Sequence, residues 1–250
     1  MFRRARAELA ENGFTILPGV FDNATVQCLI NTIDQASIDS SNARATAHLF
    51  AIRNLLQEVP SLARLLWTSP INHLLDAVTG EGTNCIRAVY FDKPAGSNWV
   101  VPWHQDLHIS VDRQESVSQW INWNHRHGPW SVQPSADYLE SIYTIRIHLD
   151  DCDASNGALK VIPASHKLGI LPEATIRALD KSQATICTVP KGGVLIMQPL
   201  LVHASGKSVS QAHRRVIHLE LTDRSLPNGL QWREFLSRSA NSVQSQLTTS

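Results

Sequence analysis

The stretch Asn98-Trp-Val-Val-Pro-Trp-His-Gln-Asp-Leu-His108 places His104 and Asp106 two positions apart. In a β-strand, side chains at i and i+2 point to the same face, so an imidazole and a carboxylate here converge on one point. Such a pair alone is common. A third residue changes its weight: His203, in Gln198-Pro-Leu-Leu-Val-His-Ala-Ser-Gly206. Two histidines and one carboxylate with open coordination positions form the facial triad that holds non-haem Fe(II). The same donors also suit zinc, and a hydrogen-bonded His104 with an unrelated His203 is the reading without a metal. The sequence around each motif favours the metal.

Outward from this stretch, the pattern is that of short strands. Ile142-Tyr-Thr-Ile-Arg-Ile-His-Leu149 alternates, with Thr144, Arg146 and His148 on one face and Tyr143, Ile145, Ile147 and Leu149 on the other. A polar face containing Arg and His belongs either to a wet cavity or to a solvent-exposed outer surface. Cys85–Phe91 alternates likewise, with Arg87, Val89 and Phe91 together. Further strands are expected at Ala158–Ile162, Thr185–Val189, Val194–Met197, around His203 and at Arg215–Leu221, punctuated by turns such as Asp150–Gly157 and Lys191-Gly-Gly193. Many short strands with tight turns imply a sandwich or jelly roll. Between them, residues 111–142 lack periodicity and read as a lid loop. Trp120, Trp123 and Trp130 argue against disorder there. His125 and His127 in the same loop suit a second metal site less well than ordinary hydrogen-bonding or exposed histidines.

Residues 1–82 are expected to be mostly helical support: Arg3–Asn12 closed by Gly13, a strand at Phe14–Gly19, a helix capped by Asp22, and amphipathic helices over Leu49–Leu56 and Leu62–Val78, the latter interrupted at Pro70. Residues 83–222 form the β-core and 238–250 a frayed, Ser/Gln/Thr-rich tail, all in one domain spanning 1–250. A chain of 250 residues can bury one good core. Lys+Arg number 22 against 22 Asp+Glu, so no basic bias recruits nucleic acid and no polybasic run invites a membrane. Neither a signal peptide nor a membrane span is read. Cys28, Cys85, Cys152 and Cys187 are scattered, as expected of reduced thiols in a cytoplasmic protein.

Eleven residues past His203 stands Arg214. An arginine on the strand beside a metal-binding histidine can hold a carboxylate bidentately, which is what a keto-acid cosubstrate requires. Ser205 can add a hydroxyl hydrogen bond. Arg215 competes, but strand alternation sends the two arginines to opposite faces, so one of them reaches the site.

The chain resembles the phytanoyl-CoA dioxygenase-like family of Fe(II)/2-oxoglutarate-dependent oxygenases. The resemblance rests on the order and spacing of Asn12-Gly-Phe-Thr-Ile-Leu-Pro-Gly-Val20, Trp103–His108, Ser155-Asn-Gly-Ala-Leu-Lys-Val-Ile-Pro-Ala-Ser-His-Lys167, Lys191-Gly-Gly-Val-Leu195, Pro199–Gly206 and Arg214. It implies a mainly β protein with flanking helices around a double-stranded β-helix, a jelly-roll, cupin-like core. It implies His104, Asp106 and His203 as catalytic iron ligands, Arg214 with Ser205 as the 2-oxoglutarate clamp, and Gln105 touching that cosubstrate. Fe(II), 2-oxoglutarate and O2 would then serve a hydroxylase that releases succinate and CO2. Halogenating relatives lack the carboxylate retained here as Asp106.

Two departures bear on the substrate: Arg146 stands where phytanoyl-CoA hydroxylase has a tryptophan, and the Trp-rich segment 111–142 is added. A CoA ester is therefore not carried over. Arg146 and His148 facing inward, covered by Trp120, Trp123 or Trp130, suit a small polar or anionic metabolite. The competing readings are a cupin-type metal-binding protein without turnover and a Zn or Mn hydrolase or isomerase. Neither needs the Arg214–Ser205 clamp.

Overall fold

The computed structural model describes residues 2–38, 42–46, 49–125 and 129–238. The chain begins with α1 (Phe2–Asn12), β1 (Phe14–Leu17) and α2 (Asn23–Asp34). Gly13, at φ +81°, turns the chain out of α1 in a conformation that glycine adopts freely. The Asp22 carboxylate accepts from the Thr25 N–H at 2.7 Å and so caps α2. Val26, Leu29, Ile30 and Ile33 form the buried stripe of that helix, each worth about 1.5–3 kcal/mol of burial.

Strands β2 (Ala43–Thr46) and β3 (Leu49–Arg53) follow, then α3 (Leu55–Glu58), α4 (Leu62–Leu66) and α5 (Ser69–Thr79). The helix expected over Leu49–Leu56 is thus a strand for most of its length. The cause is tertiary pairing: Phe50, Ala51 and Ile52 lie opposite Asp92, Phe91 and Tyr90 of β4 (Asn84–Lys93). Asn54, left-handed at φ 52°, ends the strand before α3. The break expected near Pro70 falls at Trp67-Thr68, with Pro70 in the first turn of α5.

The remaining elements are β5 (Val101–His104), β6 (Ile109–Val111), β7 (Ile121–Asn124), β8 (Trp130–Gln133), α6 (Ala136–Leu139), β9 (Tyr143–His148), β10 (Leu159–Val161), α7 (Glu173–Ala178), β11 (Thr185–Ile186), β12 (Val194–Met197), β13 (His203–Ser205) and β14 (Arg214–Thr222). They build a major sheet, ordered β1-β12-β9-β14-β4-β3-β2, and a minor sheet, β11-β10-β13-β5. Helical residues such as Leu9, Leu29, Leu62 and Leu75 cluster with Ile145, Ile147, Ile217 and Leu219, on one face of β9 and β14. The opposite face of the major sheet carries Arg146, Arg214 and His218 into a cavity shared with the minor sheet. The polar face of Tyr143–His148 is therefore interior: Thr144, Arg146 and His148 are all buried.

The segment 111–142 is not an aperiodic lid. Its strands β7 and β8 join β6, just before it, in a third sheet, β6-β8-β7, and with α6 they pack through Val111, Trp120, Val132, Tyr138 and Leu139 into a satellite core. Its exposed strand β7, Ile-Asn-Trp-Asn, is too polar to read as a core strand, which hides the pairing from the sequence. The expected tail lies outside the described residues from 239 onward. No helix among the described residues is long and apolar enough to cross a membrane.

Gly192 sits in the turn between Lys191 and Gly193 at φ +76°, and a Cβ built there would stand 2.1 Å from the Phe21 carbonyl oxygen. Gly19 has a similar φ of +64° with nothing within 4 Å. Gly19→Ala should cost about 1–2 kcal/mol, the strain of a left-handed residue. Gly192→Ala should cost roughly twice that or more, because backbone must also move. Urea unfolding midpoints of the two variants check the difference.

Candidate metal centre

Strand β13 runs antiparallel to β5 with His203 directly opposite His104. That pairing brings the two imidazoles to a centroid separation of 4.2 Å. Asp106 is not on the strand, which ends at His104; its N–H instead donates to the Pro199 carbonyl at 2.9 Å. Its carboxylate still returns to the histidines. Oδ1 lies 3.5 Å from His104 Nε2 and Oδ2 lies 3.6 Å from His203 Nε2. One donor atom from each residue falls within 4.8 Å of the others, the one such cluster among the described residues.

The orientation of each imidazole is set by its other nitrogen. His104 Nδ1 donates to the Pro102 carbonyl at 2.8 Å, and His203 Nδ1 donates to the Leu201 carbonyl at 2.8 Å. With Nδ1 carrying the proton, each Nε2 presents its lone pair toward the shared point, as a metal ligand must. Burial pushes His203 down to about 4, so it is a free base at neutral pH. Burial also opposes ionisation of Asp106, but His203 and His104 outweigh it and hold the carboxylate well below its usual range. His104 moves the other way: burial lowers it, and Asp106 more than offsets that. The donor set, two neutral-capable imidazoles and one ionised carboxylate, fits a divalent cation such as Fe(II).

The triad opens on a cavity of about 240 Å³ between the two sheets. Its outer edge is formed by His104 and Asp106, whose side chains are 35% and 33% exposed, with Arg87 and Trp99 beside them. Its depth is lined by Ser205, Arg146 and Arg214. Arg214 Nε and Nη1 are buried without a hydrogen-bond partner among the described residues. Unpaired guanidinium donors in a low-dielectric interior are costly unless an anion meets them. The arrangement therefore also fits a carboxylate cosubstrate reaching from the triad to Arg214. Lys93, fully buried, lies opposite Arg214 in the sheet register, donates to the Gly206 carbonyl and stands 5.7 Å from the Trp99 ring centroid. Burial, then the neighbouring Arg214, draws it down to about 8.

Of the residues expected at the site, His104, Asp106, His203, Ser205, Arg146 and Arg214 meet in this one cavity. Arg215 points away and is held bidentately by Asp150, Nε to Oδ2 at 2.9 Å and Nη2 to Oδ1 at 2.7 Å. Gln105 does not face the cosubstrate space. Its Nε2 donates to the Gly169 and Leu200 carbonyls at 2.8 and 2.7 Å, and its Oε1 accepts from the Leu171 N–H at 2.9 Å. The amide is spent on backbone, pinning the 169–171 loop.

His148 is buried with both ring nitrogens unpartnered among the described residues and is not part of the cavity wall. Trp120, Trp123 and Trp130 do not line the cavity either; Trp120 packs on Tyr138 at 5.1 Å in the satellite core. His125 stacks on Trp130, and His127 lies outside the described residues. Sequence reasoning missed Lys93, His218 and Glu220. The alternation Arg214-x-Val216-x-His218-x-Glu220, polar at three of four inward positions, was the available signal.

Gln105→Ala should lower stability by about 1–3 kcal/mol by stranding the buried Leu200 carbonyl and the half-buried Gly169 carbonyl and Leu171 N–H. It should leave 2-oxoglutarate affinity within twofold. Urea unfolding and anaerobic calorimetry separate the two effects.

The phytanoyl-CoA dioxygenase (PhyH) family model matches residues 9–216. A relative, the peroxisomal phytanoyl-CoA dioxygenase of Bos taurus, is 23% identical over 246 residues, covering 85% of this chain and 66% of its own. The chain thus spans just under two thirds of that relative's length. A probable alpha-ketoglutarate-dependent hypophosphite dioxygenase from Stutzerimonas stutzeri is 21% identical, covering 87% of this chain and 77% of its own. HygX from Streptomyces hygroscopicus, solved with nickel, 2-oxoglutarate and hygromycin B bound, shares the fold at a TM-score of 0.64 with 14% identity, covering 95% of this chain and 98% of its own. With the family model spanning most of its length and the triad in place, the chain belongs to the phytanoyl-CoA dioxygenase family of Fe(II)- and 2-oxoglutarate-dependent oxygenases.

Proposed function

We propose that this protein is an Fe(II)- and 2-oxoglutarate-dependent dioxygenase that hydroxylates a small polar or anionic metabolite, releasing succinate and CO2. One observation carries the reading: a two-histidine, one-carboxylate cluster opens on the same cavity as a buried arginine whose Nε and Nη1 lack partners among the described residues. A metal-only binding protein or a Zn or Mn hydrolase explains the cluster but not the arginine.

His104, Asp106 and His203 would hold the iron, and Arg214, with Ser205, the distal carboxylate of 2-oxoglutarate. Iron and 2-oxoglutarate together supply the oxidation that turns a substrate C–H into C–OH at the expense of O2. The protein's own part is geometric and electrostatic. The backbone carbonyls of Pro102 and Leu201 keep the imidazoles in the ligating tautomer. The side chains at the deep end of the cavity, Ser205, Arg146 and Arg214, are buried, and a low-dielectric surrounding strengthens the pairing of Arg214 with an incoming carboxylate.

The exposed edges of His104 and Asp106 mark the mouth through which substrate approaches, between Arg87 and Trp99. Beyond the Arg214 given to the cosubstrate, the guanidiniums of Arg87 and Arg146 also line the cavity, which supports a polar or anionic substrate. The volume of about 240 Å³ supports a small one. A relative named for hypophosphite and a structural neighbour solved with hygromycin B are consistent with small-molecule substrates. The same reading places the enzyme in the cytoplasm, where the buried thiols of Cys85, Cys152 and Cys187 stay reduced.

The test is uncoupled succinate release from 2-oxoglutarate in the presence of Fe(II). Wild type should turn over, and Arg214→Gln should raise the KM for 2-oxoglutarate roughly 10–100-fold by losing a charge-assisted bidentate pair. Turnover of a substrate with Zn(II) and without 2-oxoglutarate would contradict the proposal.

A further inference from the structure

The cavity contains a second buried guanidinium that the clamp does not use. Arg146 is 8% exposed, against 3% for Arg214, whereas the Arg87 side chain at the mouth is 38% exposed. Arg146 therefore lies at the depth of the clamp and not at the substrate entrance. Arg87 is ion-paired to Glu220 and Arg215 to Asp150; among the described residues Arg146 and Arg214 have no such carboxylate. Arg146 Nε is buried without a partner.

The rest of the Arg146 side chain is aimed by a hydrogen-bonded chain. Its Nη1 donates to His218 Nδ1 at 3.0 Å. Arginine only donates, so His218 Nδ1 accepts and its proton sits on Nε2. That nitrogen faces Glu220 Oε1 at 3.4 Å, and the same oxygen accepts from Arg87 Nη1 at 2.8 Å. The chain fixes one edge of the Arg146 guanidinium against β14 and leaves Nε unsatisfied in the cavity wall.

The strand register places Arg146 along the cosubstrate's path. Arg214 is level with Lys93, and Lys93 donates to Gly206, next to Ser205. The Arg214 rung of the major sheet thus faces the Ser205 end of β13. His203 lies two residues back along β13. Arg146 is level with His218, four residues, or about 13 Å of strand, from Arg214. Moving along the cavity from the clamp toward the triad passes from the Arg214 rung to the Arg146 rung. The mutual effects of charge agree: Asp106 and Arg214 both act on Arg146, which burial draws down to about 10.

We infer that Arg146 is a second cosubstrate-binding residue, pairing with the metal-proximal carboxylate of 2-oxoglutarate while Arg214 holds the distal one. This rests on the dioxygenase reading above and moves Arg146 from the substrate side to the cosubstrate side. Each carboxylate of the dianion then meets its own buried guanidinium, and the Glu220–His218 chain acts as the positioning support for the inner one.

The test is anaerobic calorimetry on the Ni(II)-loaded full-length protein, titrated with 2-oxoglutarate and with 2-oxobutyrate, which has the same 2-oxo acid end and no distal carboxylate. In Arg214→Gln, 2-oxoglutarate should bind at least 10-fold more weakly and 2-oxobutyrate within twofold of wild type. In Arg146→Gln, both acids should weaken together by at least 10-fold, with the ratio of their affinities preserved and the Ni(II) affinity unchanged. Arg146→Lys, which keeps the charge and loses the fork, should fall between. Unchanged affinity for both acids in Arg146→Gln would overturn the inference, as would weakening of 2-oxoglutarate alone or an equal loss of Ni(II) affinity. Failure of wild type to bind either acid would instead contradict the dioxygenase reading itself.

Discussion

The antiparallel pairing of β13 with β5 sets His203 opposite His104, and the rest of the site depends on that register. A strand slipped by one residue would turn every side chain to the other face. It would put His203 into the packing behind the sheet and bring Val202 or Ala204 toward the cavity. The register is held from both sides. Leu159 and Val161 of β10 pair with Ser205 and His203, and Lys93 reaches across from the major sheet to the Gly206 carbonyl. Gly157 is the close-approach point of this corner: a Cβ there would stand 2.6 Å from the Gly206 oxygen and 2.8 Å from Lys93 Nζ.

The second constraint is charge in a buried interior. Arg214, Arg146 and Lys93 are buried on or beside one cavity, and the carboxylates that could neutralise them are otherwise engaged, Glu220 with Arg87 and Asp106 with the histidines. Buried cations without partners are destabilising by several kcal/mol each in general. The fold tolerates this because a large helical core on the far side of the major sheet supplies compensating burial. Stability and readiness to bind an anion are thus set by opposite faces of the same strands, β9 and β14. The outward residues Ile145, Ile147, Ile217 and Leu219 hold the sheet, and the inward Arg146, Arg214 and His218 prepare the site.

Much of this was legible in the sequence because period-2 alternation is a local signal. It separated Arg214 from Arg215 and set Arg146 on one polar face with Thr144 and His148, a face that alternation alone left open between cavity and outer surface, and the spacing of His104, Asp106 and His203 carried the metal site even though Asp106 sits past the strand. The same rule, applied to Gln105, puts it on the face opposite His104, where it binds backbone; family resemblance alone had pointed it inward. What was not legible depends on long-range pairing. β3 reads as a helix until Phe50–Ile52 find β4. The Trp-rich segment reads as a lid until Trp130–Gln133 bridges β6 and β7. The Arg146–His218–Glu220–Arg87 chain spans three strands, and no single segment of sequence contains it.

The central claim is that one cavity holds both Fe(II) and 2-oxoglutarate. Its most direct measurement is an anaerobic titration of apoprotein with Fe(II) and then 2-oxoglutarate, followed by visible absorbance. The structure predicts a weak charge-transfer band that develops only when both are present and is lost in His203→Ala. Absence of the band in the wild-type protein, together with tight Zn(II) or Mn(II) uptake that 2-oxoglutarate does not alter, would contradict it.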